Sequence, residues 1–139
     1  MKPRNVIISI KPEYALKIVD GLKTIELRKR FPTHGMRGST AIIYASSPLC
    51  KIIGYATIDV VKKLSVSYIW RKFGKQSCVT RDFFNAYFDG AGEGFALVLS
   101  NPVKLKKQLK ITDLDVDCKF SPPQSYRYAT EKLLRAIKT

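Results

Sequence analysis

The segment Gly21-Leu22-Lys23-Thr24-Ile25-Glu26-Leu27-Arg28 concentrates chemically useful side chains within eight residues. From Lys23 to Phe31 apolar and polar residues alternate with period two. That pattern predicts a strand with Ile25 and Leu27 on one face and Thr24, Glu26, Arg28 and Arg30 on the other. Glu26 and Arg28, two residues apart, project together, and Lys23 stands where the preceding loop joins the strand. Arginine and lysine can grip a phosphate, while a glutamate can accept from the amino edge of a base. The same residues also fit a plainer role, an ion pair that pins the strand. If they serve a partner, alanine at Lys23 or Arg28 leaves stability nearly unchanged; if they pin the strand, it unfolds the protein.

Elsewhere the usual catalytic sets are missing. The sole histidine, His34, sits in a Pro32-Thr33-His34-Gly35 turn, so a Ser-His-Asp triad, an H-E-x-x-H helix or a histidine metal site lacks its residues. Cys50, Cys78 and Cys118 are odd in number and far apart, which reads as reduced, partly buried thiols in a cytoplasmic protein. Catalysis must therefore run on Lys, Arg, Glu, Asp, Ser, Thr or Tyr. The 139 residues carry 25 basic against 11 acidic side chains, a formal charge of +14, which favours a polyanionic partner, nucleic acid before an acidic membrane surface. No apolar run, the longest being near Ala41–Ala45 and Phe95–Leu99, approaches the ~20 residues of a membrane helix. Val6 to Ile10 is too short for a signal segment and is closed by Lys11. The length predicts one domain over 1–139.

These residues need elements to hold them. Asn5 to Ile10 reads as a buried strand, Pro12 to Val19 as a helix closed by Gly21, Thr40 to Ala45 as a strand broken by Ser46-Ser47-Pro48, and Ile52 to Leu64 as a long strand in which Gly54 marks a bulge or a close backbone approach. Between 65 and 90 the period becomes helical, with Val66, Ile69, Trp70 and Phe73, then Phe84, Tyr87 and Phe88. Ser65 and Thr80 are the expected N-caps and Gly74 and Gly90 the terminators, and the aromatics are expected in the core, Trp70 among them. Two strands, Gly94 to Ser100 and Val103 to Leu109, are expected to meet at Asn101-Pro102, and an amphipathic helix with Leu133, Leu134 and Ile137 on one side ends the chain. Asp113, Asp115 and Asp117 lack the glycine and distal glutamate of a calcium loop and read as solvated. Residues 76–99 carry a net charge of −2 whereas the segments around them are positive, which predicts that this stretch lies off the binding face.

In order along the chain, Ile8-Ser9-Ile10-Lys11-Pro12, Gly21 to Arg28 as G-x-K-x-x-E-x-R, Ile43-Tyr44-Ala45-Ser46-Ser47-Pro48, and Pro122-Pro123-Gln124-Ser125-Tyr126 resemble the ASCH domain, a branch of the PUA-like superfamily. The resemblance covers essentially the whole chain and is least typical over 65–90. It implies an α+β fold, a small mixed PUA-like β-barrel of about five or six strands with peripheral helices and a helical insertion at about 65–90. It also implies a cleft for a nucleotide or an RNA segment, lined by the signature.

One branch of that family deacylates N4-acetylcytidine with the signature lysine and a threonine where this chain has Glu26. Thr24 shares the strand face but lies about 6–7 Å earlier. Members carrying the Tyr-Ala-Ser-Ser-Pro and Pro-Pro-Gln-Ser elements look like nucleases of single-stranded RNA. The resemblance thus leans to a hydrolase, a ribonuclease, with a nucleoside amidohydrolase or a non-catalytic RNA-binding module in RNA processing or transcription as alternatives. Under the ribonuclease reading Lys51 or Lys23 takes the 2′-hydroxyl proton or stabilises the phosphorane, with Glu26 beside it. Ser125 either binds phosphate or caps the last helix. Tyr44 stacks on a base or is buried. Tyr126 and Tyr128 around Arg127 suit single-stranded RNA or lock the last helix. Arg28, Arg30, Ser46 and Ser47 complete the expected nucleic-acid contacts. No metal ligands are assigned, and a divalent ion is left open as cofactor.

Overall fold

The computed structural model describes residues 4–111 and 126–138. Ser125, Cys118 and the three aspartates Asp113, Asp115 and Asp117 lie outside the described residues. The elements run β1 (Val6–Ile10), α1 (Pro12–Val19), β2 (Ile25–Arg28), β3 (Ser39–Ala45), β4 (Lys51–Ser65), α2 (Val66–Phe73), α3 (Arg81–Tyr87), β5 (Glu93–Leu109), β6 (Tyr126–Tyr128) and α4 (Glu131–Lys138). The strands form one sheet in the order β2-β5-β4-β3-β1-β6, curled into a half-barrel with the four helices around it. Only β1 and β3 pair in parallel, Val6 opposite Ala41 through Ile10 opposite Ala45. The architecture is the expected small α+β barrel.

The local signals explain the boundaries. Pro12 opens α1 where its missing N–H costs nothing, and Gly21, at φ +81°, takes the left-handed turn after it. The hydroxyls of Ser65 and Thr80 accept from the backbone N–H of Tyr68 and Phe83, as N-caps should. Gly54 is both a close approach and a bulge: a Cβ there would lie 2.3 Å from the Val103 carbonyl oxygen, and the β4–β5 register slips between Ile52 and Gly54. Gly74 closes α2 as its C-cap, as expected, but without a left-handed turn. Its φ of −55° is ordinary helix, and it is small because a Cβ would strike the Trp70 carbonyl and ring at 2.6–2.9 Å.

Three expectations are corrected. The two strands before and after Asn101-Pro102 are one, β5: the pair forms a bulge between the Thr57–Ser100 and Tyr55–Val103 pairings, with Asn101 at φ +49°. The missing proline donor is tolerated there because the bulge leaves that position unpaired. A three-residue strand, β6, is added at the edge, antiparallel to β1. Trp70 is only partly buried, with the Arg81 guanidinium 4.7 Å above its ring.

Apolar residues gather in three clusters. The largest fills the curl of the sheet beneath α1, with Ala15, Ile18 and Val19 against Ile8, Ile43 and Ile53. In the second, Ile69 and Phe73 of α2 and Phe84 of α3 pack with Phe88 on Ile25, Leu27 and Ala96. The third lies under α4, where Leu133 and Ile137 meet Ile7, Ile42, Tyr44 and Ile52. Phe84, 2 % exposed, is the deepest aromatic of the second cluster. Phe84→Ala is expected to lower stability by about 3–5 kcal/mol in denaturant unfolding, and Trp70→Ala by clearly less.

Candidate functional site

The polar face of β2 is buried, not solvated. Lys23, Glu26 and Arg28 are 2 %, 7 % and 8 % exposed. One Glu26 carboxylate oxygen accepts from Arg28 Nη2 at 2.7 Å and Nε at 2.9 Å, and the other lies 3.5 Å from Lys23 Nζ. Arg28 also donates to the Ser9 carbonyl at 2.9 Å, tying β2 across to β1, and Lys23 donates to the Ser77 carbonyl in the loop between α2 and α3. That loop is held to the start of β2 by the backbone, since the N–H groups of Thr24 and Ile25 both reach the Gln76 carbonyl. Burial pushes the Lys23 ammonium below its ordinary value, and the neighbouring Glu26 carboxylate works against that shift. Two cations share one carboxylate, so the cluster holds one positive charge in excess.

This cluster lines a cavity of about 890 Å³. Ser9, Ile10 and Lys11 come from the end of β1, Tyr14 from α1, Tyr44, Ser46, Ser47 and Cys50 from the end of β3 and its turn, and Val79, Phe83, Ala86 and Tyr87 from α3 and the residues before it. The Phe83 and Tyr87 rings are nearly parallel, 6.1 Å apart, and Tyr14 tilts against Phe83 at 5.4 Å. Lys11 Nζ sits 5.3 Å from the Phe83 ring centre and Lys23 Nζ 5.5 Å from that of Tyr14. The Tyr87 hydroxyl accepts from the Lys29 N–H at 3.1 Å. Burial raises the pKa of Tyr14, Tyr44 and Tyr87, and the Cys50 thiol beside Tyr44 adds to its rise. These phenols therefore stay protonated at neutral pH. No group of three or more metal-ligating side chains occurs among the described residues, and no helix there is long and apolar enough to cross a membrane.

Of the residues expected at the site, the fold brings together Lys23, Glu26, Arg28, Tyr44, Ser46 and Ser47. Tyr44 is buried, as one of its two readings had it, and it also lines the cavity. Lys51 opens β4 opposite Ala45, next to Cys50 but not among the cavity-lining residues. Arg30 is exposed beyond the end of β2. Tyr126 packs on Phe31 at 4.8 Å in the main core, away from the cavity, while Arg127 and Tyr128 are exposed on β6. The stretch 76–99, set apart by its negative charge, supplies the aromatic wall of the cavity through neutral side chains that a charge count does not register. Helical periodicity did hold the signal, since Phe83 and Tyr87 lie four apart on a stripe about 100° round the helix from Phe84 and Phe88.

A curled half-barrel with a buried cationic cluster opening into an aromatic-walled cavity defines a small α+β barrel domain with one charged floor and one aromatic wall. The ASCH domain pattern matches residues 8–111, and the chain belongs to the ASCH domain family. It is 30 % identical over 140 residues to an ASCH domain-containing ribonuclease of Zymomonas mobilis, covering 94 % of this chain and 90 % of that protein. The crystal structure of ASCH from Zymomonas mobilis superposes with a TM-score of 0.88 at 27 % identity, covering 95 % of this chain and 94 % of that one. The large ribosomal subunit protein uL22 of Ureaplasma parvum is 26 % identical over 125 residues, 89 % of this chain but 39 % of that protein's length.

Two outcomes follow from the cluster. Glu26→Ala strands two buried cations and is expected to cost about 3–5 kcal/mol of stability in denaturant unfolding. Because folded Lys23 releases its proton at lower pH than the unfolded chain, whose lysine holds it to about 10.5, the unfolded state binds more protons in that interval and stability gains as pH rises through it. Unfolding measured against pH should show this gain in the wild type relative to Lys23→Met.

Proposed function

We propose that the cavity receives one nucleotide of a single-stranded RNA and that the protein cleaves the strand beside it. The carrying observation is the excess positive charge buried at Lys23, Glu26 and Arg28 in a cavity walled by Tyr14, Phe83 and Tyr87. Aromatic faces accept any base by stacking, and a desolvated cation cluster attracts the phosphate next to it more strongly than a solvated one. The family membership, and a relative of nearly equal length named as a ribonuclease, support the same reading.

In this reading Arg28 and Lys23 orient the phosphate, and Glu26 fixes both cations before the substrate arrives. Attack by the 2′ oxygen on phosphorus breaks the bond to the 5′ oxygen; the 2′-hydroxyl proton passes to a base and the 5′ oxygen gains one. Lys23, whose Nζ faces the Glu26 carboxylate at 3.5 Å, is assigned stabilisation of the phosphorane. Lys51, beside the cavity turn, is assigned the proton-transfer role and Ser125 a hydrogen bond to phosphate. Hydrolysis of N4-acetylcytidine would instead need a nucleophile at the position of Glu26, whose two oxygens are held by Lys23 and Arg28.

The test incubates purified protein with labelled single-stranded RNA and, separately, with N4-acetylcytidine, each with magnesium and with EDTA. RNA cleavage by the wild type, slowed about 10²–10³-fold in Lys51→Ala and Ser125→Ala without loss of binding, is expected. Phe83→Ala should weaken RNA binding by about 1–3 kcal/mol through lost stacking, read by fluorescence anisotropy. Robust deacylation, or cleavage unchanged in both alanine variants, would show the chemistry to be misassigned.

A further inference from the structure

The cavity carries positive charge at two depths. Lys23 is buried on the floor, where it shares the Glu26 carboxylate with Arg28. Lys11 also lines the cavity, yet it is exposed, so it stands at the rim. Two rings lie between them. Lys23 Nζ is 5.5 Å from the centre of the Tyr14 ring, Tyr14 tilts against Phe83 at 5.4 Å, and Lys11 Nζ is 5.3 Å from the centre of the Phe83 ring. A pair of packed aromatic rings thus has an ammonium at each end, one buried and one open to water.

The backbone of Lys11 is fixed and its side chain is not. Lys11 joins β1 to α1, its carbonyl accepts from the N–H groups of Tyr14 and Ala15, and Pro12 follows it at the start of the helix. The side chain forms no cap on α1 and reaches Phe83 of α3 instead. A lysine stem is flexible and can carry its charge to a new partner. Glu13, the acid nearest to Lys11 along the chain, is exposed and is not a cavity-lining residue. Lys29 offers a comparison: it too is exposed, with Nζ 5.2 Å from the centre of the Tyr87 ring, but it does not line the cavity. Access to the cavity, rather than contact with a ring, is what sets Lys11 apart.

A base entering over the part of Phe83 that Lys11 covers displaces the ammonium. Stacking of a base on an aromatic ring is the stronger contact and an exposed cation–π contact the weaker, so the exchange runs toward the base. The freed ammonium stays at the rim, where a phosphate is a strong partner for it. A phosphate on the other side of the sugar then meets the floor, which holds one positive charge in excess. We propose that the cavity has two anion positions, Lys11 at the rim and Lys23 with Arg28 at the floor. It therefore takes a nucleotide with a phosphate on each side of its sugar, a chemistry shared by an internal nucleotide of a strand and a free 3′,5′-bisphosphate. The inference rests on the reading of the cavity as a nucleotide site, and it makes Lys11 a substrate contact.

The experiment measures, by calorimetry, the binding of adenosine, its 3′- and 5′-monophosphates, its 3′,5′-bisphosphate and a fully 2′-O-methylated ApApA, which no 2′ oxygen can cleave. The proteins are the wild type, Lys11→Met, Lys11→Arg and Lys29→Met, each shown to be folded by a thermal melt. In the wild type the bisphosphate should bind about tenfold or more tighter than either monophosphate. Lys11→Met should remove that gain and leave the tighter monophosphate, held at the floor, within about twofold. Lys11→Arg and Lys29→Met should both keep the gain. Weaker binding of ApApA by Lys11→Met, alongside the bisphosphate, identifies the strand as the source of the two phosphates; loss for the bisphosphate alone identifies the free nucleotide. Equal wild-type affinity for mono- and bisphosphate overturns the rim position and leaves the cavity reading standing. So does a gain retained in Lys11→Met, or one lost equally in Lys29→Met, as a general field of positive charge would give. A wild type that binds none of these ligands removes the cavity reading and this inference together.

Discussion

A carboxylate that keeps two cations out of water holds the site side of this molecule together. Glu26 satisfies Lys23 and Arg28 at once, and each cation then reaches a backbone carbonyl on a different element, Ser77 in the loop after α2 and Ser9 on β1. Desolvating three charges costs several kcal/mol per ion, and the cost is offset only because every one of them is met. The side chains that pin β2 into the fold are the same ones that line the cavity, so their position is set by folding rather than by whatever enters.

Much of the frame was legible because it obeys local rules. The proline and glycine that bound α1, the hydroxyl caps of α2 and α3, and the crowded Gly54 each need only a few neighbouring residues to be recognised. What escaped was what depends on distant partners. Alternation along β2 says that its polar side chains share a face, but whether that face meets water is decided by α3, far along the chain. Asn101-Pro102 has the composition of a break, yet the long partner β4 carries the pairing past it on both sides. β6 is three residues long, too short for any period, and exists because β1 offers it an edge.

The site was half visible for the same reason. Its charged floor lies within one signature, and the Tyr44 to Ser47 segment follows soon after. Its wall was hidden by a count of charges, which is blind to neutral surfaces: Val79, Phe83, Ala86 and Tyr87 contribute shape and ring faces without altering the net charge. Aromatic residues at helical spacing are correctly assigned to a core when only one stripe is present. Here two stripes share a helix, and each side of α3 is buried against something different.

That division of α3 separates what the protein must keep from what it can revise. Phe84 and Phe88 anchor the segment to Ile25 and Leu27, Phe83 and Ala86 line the cavity, and Tyr87 does both. Changes on the second stripe reshape the chamber while the anchoring stripe, the half-barrel and the ionic floor stay in place. A lineage can thus reshape the chamber by exchanging two positions on one short helix, Phe83 and Ala86, leaving the inherited scaffold intact.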